Sequence, residues 1–426
     1  MKNSYFKLLG FSVSTFAALL LTSLVNPSTT TASGFALFTQ GAKELGMENS
    51  VIAHTEGPGS NFYNPALLTQ LDGTQLEIGT TLVFSSTDFR SDLTGESLSS
   101  EDSVDYPSIL YMTYEVGQSL TLGLGINSTF GLSTEWPDDW EGRYIATKAE
   151  LLTFNFNPNI AWKVSDQLSL AGGIDILYGD GTLENKMNLA LFGLPDGHQK
   201  FEGDGDGYGF NLGLLYKISD RLSFGASYRS GIELDLEGKA KFDLPAGSPP
   251  ALLASFPNAE GEATLDLPPQ AFVGLAYKLT DNFMVEVGGM WEGWSSYERL
   301  KIDFDEPIAG SNSSITEKNW KDVWSFKLGA KYNMNPTLAF SAGYYHGVSP
   351  VPDHTFEPSI PDSDHHHFSL GIQKGFDRLT ISTSYNYLYN DERRKNNLVG
   401  SESGLTANGE YQAEAHLVSI SVTYAF

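Results

Sequence analysis

Cysteine is missing from all 426 residues. With it go disulfides, thiolate metal sites and cysteine nucleophiles. Basic residues are scarce: 26 Lys and Arg stand against 52 Asp and Glu, a formal charge of −26. A chain this acidic argues against nucleic acid as a partner, because phosphates need Lys and Arg opposite them. Beyond the first residues there is no apolar run of spanning length, which excludes a bundle of membrane helices. It does not exclude a membrane barrel, whose strands alternate apolar and polar and so keep an ordinary mean hydropathy. No nucleophile elbow is present either, so nothing marks a hydrolase, and no catalytic residue is named.

Several segments stand out against these absences. Residues 1–32 read as a secretory signal. Lys2 and Lys7 form the positive end, Leu8 to Val25 the apolar run, and Thr30-Thr31-Ala32 a small-residue cleavage site. From Thr74 the sequence takes a period of two and keeps it. Leu76, Ile78, Thr80, Leu82 and Phe84 share one face, and Gln75, Glu77, Gly79, Thr81 and Ser85 the other. Fourteen such strands are expected, near 74–90, 104–116, 119–131, 147–163, 167–185, 203–218, 222–243, 264–278, 282–303, 320–334, 336–346, 364–376, 377–390 and 410–426. Short turns and long loops alternate between them, and an even strand count with that asymmetry is the organisation of an outer-membrane barrel. Aromatics near strand ends (Tyr111, Tyr114, Trp162, Tyr216, Tyr228, Tyr277, Trp291, Trp294, Trp324) suit interfacial girdles. The chain ends on an apolar-faced strand with Phe426 last, which resembles the signal read by outer-membrane barrel assembly machinery.

Between the signal and the first strand lies GSNFYNPALLTQL, Gly59 to Leu71. Pro65 gives no N–H and pushes Asn64 towards an extended backbone, while the Asn64 amide stays free to bond elsewhere. The expectation is a tight turn held inside the barrel.

The segment GFALFTQGAKELGMENSVIAHTEGPGSNFYNPALL, Trp140 to Tyr144 (WEGRY), Trp291 to Phe304, Asn319 to Tyr332 and Ser349 to Asp364 occur in order across most of the chain. Together they resemble the long-chain fatty acid transporters of Gram-negative outer membranes (FadL/TodX-like), a family that includes relatives admitting aromatic hydrocarbons. The resemblance implies an all-β fold, a 14-stranded antiparallel transmembrane β-barrel (74–426) with a small N-terminal helical plug (33–73) in its lumen. It implies passive uptake of fatty acids or similar molecules, capture by outer loops, a deeper pocket, and lateral release where a strand kinks inward. A hydrocarbon channel of the same architecture and a general porin are the alternatives. The expected cellular context is the outer membrane, with its lipid and lipopolysaccharide as neighbours, and a monomer.

For the deep pocket the candidates are Phe35, Leu37 and Phe38 as apolar walls, with Lys321, from the family's NWK-type motif, as carboxylate partner. Arg143 is a second cation, open to the alternative of a loop salt bridge with Asp138, Asp139 or Glu141. His365 stands where the fatty acid transporters usually have Arg. The gate is expected at Asn64, Pro65 and Ala66, meeting an inward kink near Asn127 to Phe130. The outer groove is expected from Leu189, Leu191, Phe192 and Leu194 with Leu252, Leu253 and Phe256. These apolar segments either receive ligand or cap the mouth by packing on each other. His365 and His367 share a strand face, but nothing completes a metal ligand set, and no cofactor is expected.

Overall fold

The computed structural model describes residues 34–426. The expected signal over 1–32 lies outside them. From Thr74 onward the described chain forms fourteen antiparallel strands that close into a barrel. β1 is Thr74–Ser91. β2 comes in two pieces, Ser103–Asp105 and Ser108–Glu115, as does β3, Leu120–Asn127 and Gly131–Glu135. β4 (Lys148–Lys163), β5 (Leu168–Met187) and β6 (Gly197–Lys217) run unbroken. β7 (Leu222–Arg229, Ile232–Asp243), β8 (Ala259–Leu267, Gln270–Lys278), β9 (Phe283–Glu292, Arg299–Ile308) and β10 (Ser311–Glu317, Val323–Asn335) are each interrupted once. β11 (Leu338–Gly347), β12 (His365–Phe376), β13 (Leu379–Asn390) and β14 (Gly409–Ala425) complete the wall. Gln75 pairs with Ala425 and the register runs to Ser91 opposite Gly409. Closure between β1 and β14 leaves neither terminal strand with an open edge to recruit another chain.

The alternation read from sequence becomes an inside and an outside. On β1, Leu82 and Phe84 are exposed, while Glu77, Thr81 and Val83 are buried in the lumen. The outer face is an apolar band of such residues, among them Leu122, Ile160, Leu170, Val287, Leu328 and Leu370. Tyr114, Trp162, Tyr216 and Tyr277 edge the band near the short turns, and Tyr178, Tyr208 and Trp324 edge it farther up. Tyr111 and Trp294 do not belong to these girdles, since both are fully buried. Tyr111 occupies an inward position on β2 and donates its hydroxyl to Gln40 at 3.0 Å. Trp294 sits in the bend of β9.

β5 and β6, at 20 and 21 residues, exceed the roughly 9–11 needed to cross a bilayer. The wall therefore stands well above the membrane on the long-loop side. Several expected strands prove longer there: β6 begins at Gly197 rather than 203, and β8 at Ala259 rather than 264. These stretches pair in the outer, water-facing part of the wall, where apolar–polar alternation is no longer required. The breaks in β7 to β10 fall side by side, at 230–231, 268–269, 293–298 and 318–322. Pro268 and Pro269 supply no ladder hydrogen bond there, and the upper pieces of the four strands together wall a cavity as its hood.

Residues 34–73 fill the interior. They form two four-residue helices, Ala42–Leu45 and Ser60–Tyr63, and a 3-10 turn at Pro65–Gln70. Lys43 pairs with Glu77 on β1 at 3.0 Å. Asn61 donates to the Asn157 carbonyl on β4 at 3.1 Å. His54 meets Glu286 on β9 at 2.6 Å, and Asn386 on β13 donates to the Leu45 carbonyl at 2.9 Å. Contacts to strands all round the wall place the segment within the lumen.

Candidate functional site

The break in β3 is the first component. Leu110 opposite Ile126 is the last pair between β2 and β3; above it the β3 ladder continues only with β4, and on the other side a single Glu101 N–H bonds the Glu135 carbonyl at 2.8 Å. Residues 128–130 leave the ladder and turn inward. Their polar backbone atoms find partners on the N-terminal segment instead: Leu37 N–H donates to the Thr129 carbonyl at 2.9 Å, and Gly131 N–H to the Phe35 carbonyl at 2.8 Å. Ala36 faces Phe130 across this two-bond bridge. Gln40 donates to the Ser128 carbonyl at 2.7 Å, and Thr153 of β4 bonds the Phe130 carbonyl at 2.5 Å. A buried carbonyl without a partner is costly, so the inner segment stabilises the break in the wall.

The second component is a cavity of about 890 Å³ under the hood. Its apolar walls include Leu132, Leu151, Phe201, Leu236, Leu300 and Ile302, and Phe35 is its only lining residue from the inner segment. Phe35 is 2% exposed. Its ring lies 4.7 Å from Trp294, 5.6 Å from Trp320 and 6.3 Å from Phe130. Cavity and break therefore share one aromatic cluster. Such a volume with a mainly apolar lining suits a small amphipathic or apolar ligand. Its lysines are Lys148, Lys200 and Lys318, each already paired. Lys148 meets Glu150 at 2.9 Å, Lys200 meets Glu202 at 2.8 Å, and Lys318 meets Glu357 in a buried contact. Burial works against the Lys318 charge, and Glu357 and Tyr297 outweigh it, holding the ammonium above its ordinary range.

The structure separates the candidates named from sequence. Of the six deep-pocket residues only Phe35 reaches the cavity. Leu37 is buried in the bridge to β3, and Phe38 packs lower, edge-on to Phe272 at 6.4 Å. Lys321 is exposed, because the linker 318–322 turns Lys318 inward in its stead. Arg143 is held by Asp196 at 2.7 Å and by the Tyr144 hydroxyl at 2.8 Å; its partner is none of the three acids considered. His365 is buried against Tyr345, ring centroids 5.6 Å apart. Among the described residues no group of His, Asp and Glu is arranged to hold a metal.

The gate residues fall in two places. Asn64 donates to the carbonyls of Ile52 at 2.8 Å and Leu214 of β6 at 2.9 Å, and accepts from Ala66 N–H at 3.2 Å. Pro65 and Ala66 lie against β6 beside it, and all three are fully buried. Asn127 donates to Tyr111 at 3.0 Å, and Phe130 lies in the break. The turn therefore locks to β6 and does not meet the kink; residues 35–40 do. Sequence reasoning missed this bridge, since nothing in the GFALFTQ pattern names its partner strand. The outer apolar segments come together: Leu189 and Leu252 are buried in one cluster, with Leu194 and Phe256 packed against it. Leu191, Phe192 and Leu253 remain exposed around it.

A closed antiparallel barrel with an apolar outer band and an occupied lumen is an outer-membrane barrel protein. The chain belongs to the family described as outer membrane protein transport protein (OMPP1/FadL/TodX), whose model matches residues 23–426. It resembles the long-chain fatty acid transport protein of Escherichia coli O6:H1, 24% identical over 397 residues covering 85% of this chain and 87% of that one. Outer membrane protein P1 of Haemophilus influenzae is 24% identical over 74% of each chain. In fold it resembles a FadL homologue of Pseudomonas aeruginosa, with a TM-score of 0.84 at 19% identity, covering 92% of this chain and all of that one. The toluene transporter TodX of Pseudomonas putida gives 0.72 at 18% identity, covering 91% and 98%. The protein is an outer-membrane transport protein and not an enzyme.

Proposed function

We propose that this barrel lets long-chain fatty acids or similar hydrophobic molecules cross the outer membrane passively. Ligand enters the cavity under the hood and leaves sideways through the break at 128–130. The observation that carries the reading is the position of Phe35. Its ring lines the cavity, while its own carbonyl and the Leu37 N–H hold the break closed. A ligand tail that displaces Phe35 pulls on the residues that close the wall, so occupancy and opening are one movement. The exposed Leu191, Phe192 and Leu253 form the landing surface on the outer loops. No chemical step and no cofactor are required.

A neutral hydrocarbon is the second reading. The paired state of Lys148, Lys200 and Lys318 favours it, because the cavity offers a carboxylate no unengaged lysine.

The exit is tested with a reversible lock. Ala36 and Phe130 form a non-hydrogen-bonded antiparallel pair, whose Cα atoms lie about 4.5 Å apart, within reach of a disulfide. The chain has no cysteine to interfere. The Ala36→Cys, Phe130→Cys double variant, expressed in a Gram-negative host lacking its own transporter, is expected to lose oleate uptake when oxidised and regain it on reduction. Equal uptake in both redox states would rule out this exit.

A further inference from the structure

Below Phe35 the structure holds a cation that the cavity does not use. Lys327 lies on an inward position of β10, opposite Tyr345 of β11, which in turn lies opposite His367 of β12. It is 3% exposed, and its Nζ has no hydrogen-bond partner among the described residues. Instead it stands among four aromatic rings: Phe38 at 4.6 Å, Tyr345 at 5.3 Å, Phe272 at 5.5 Å and Tyr63 at 5.9 Å. The ring faces compensate an ammonium only in part. Burying one without hydrogen bonds is among the most costly arrangements a fold can keep. The Glu292, Glu48 and Glu286 carboxylates act on it electrostatically without bonding it. Two strands along the same row, beyond Tyr345, His367 turns Nδ1 to Glu48 at 3.6 Å while its buried Nε2 lacks a hydrogen-bond partner among the described residues.

We propose that Lys327 is a carboxylate-binding station between the cavity and the inner segment, and that it gives the transporter its preference for acids over neutral chains. This rests on the reading of the barrel as a conduit for hydrophobic molecules. The ring nearest Nζ belongs to Phe38, three residues after Phe35 on the same strip of chain. When ligand displaces Phe35, that strip carries Phe38 away and uncovers the ammonium. A carboxylate arriving there makes the charge-assisted bonds that Nζ lacks, and the remaining rings line the first carbons of the tail. A neutral hydrocarbon gains nothing from the same lysine. The three paired lysines above let an acid pass without holding it, and the unpaired one below is where it stops.

The test compares oleate with oleyl alcohol, equal in chain and different in charge. Binding to the purified full-length barrel in detergent is followed by tryptophan fluorescence or calorimetry at neutral pH. Lys327→Met is expected to weaken oleate about tenfold or more, the loss of a charge-assisted pair, and to leave oleyl alcohol unchanged. Lys327→Arg is expected to retain the discrimination. Lys327→Gln, which keeps polarity, serves if the Met variant loses the heat-modifiable folded form, and is expected to behave as Met. Wild type that binds both ligands, with neutral variants that weaken both equally or neither, overturns the station and leaves the conduit reading standing. Wild type that binds neither ligand overturns both.

Discussion

Asp362 sits where loop 348–364 meets the start of the described chain. Gly34 N–H reaches its Oδ2 at 3.3 Å and the Ser349 hydroxyl at 2.7 Å. Burial pushes its carboxyl from 3.8 up to about 7, against the pull of those two hydrogen bonds and of Arg393. A raised acid binds its proton more tightly folded than unfolded. Stability is therefore greatest below pH 4 as far as this group is concerned, and falls as pH rises through the window from about 4 to 7. Asp362→Asn, an uncharged isostere, is expected to remove this slope. In thermal scans at pH 5 and 8 the wild-type midpoint should drop more than the variant's, and the variant should be the more stable at pH 8. Parallel shifts in the two proteins would exclude a buried, protonated Asp362. Lys321, Lys318 and Lys327 lie within one stretch of chain, and only the bend before Val323 decides which of them faces water, Glu357 or a ring of aromatics.

At the scale of elements, wall and inner segment fit because glycines on inward positions admit backbone. A Cβ on Gly225 of β7 would stand 1.9 Å from the Ile52 carbonyl oxygen and 2.9 Å from the Ala53 Cα. Backbone cannot swing away as a side chain can. Gly225→Val is therefore expected to lift residues 52–53 from the wall and break their N–H bonds to Glu286. The barrel itself, held by strand pairing, should still assemble and remain heat-modifiable. Planar-bilayer recordings should show a rise in steady ionic current over wild type, and an unchanged current would mean that this seat does not seal the lumen. The strand pattern was legible in sequence because alternation is a local property. The family resemblance implies a kink near Asn127 to Phe130 with Asn64 as its partner; the structure pairs Phe130 with Ala36 instead. The choice between Asn64 and Ala36 depends on how a segment of some forty residues coils in the lumen, which no local pattern encodes.

At the scale of the whole molecule, the barrel closes through β1 and β14, and removing the inner segment does not touch that seam. Deletion of residues 34–71 is expected to leave a folded barrel with a large steady conductance, whereas the full chain should conduct little. If the deletion variant were as silent as the full chain, the hood and not the inner segment would be the seal.

The sequence by itself determined the strand count, the membrane-facing surface and the long-loop asymmetry. Each follows from a period of two repeated between turns, and the bilayer imposes that period on every strand alike. Tertiary structure alone decided the aromatic cluster that joins the cavity to the break in β3, the pairing of three lysines, and the unpaired state of a fourth. These depend on which inward side chains meet across the lumen, and so on barrel register and the path of the inner segment. The stretch around Asn64, the clearest irregularity in the sequence, is an anchor on β6; the backbone of the break in β3 is bonded by Phe35 to Gln40 instead.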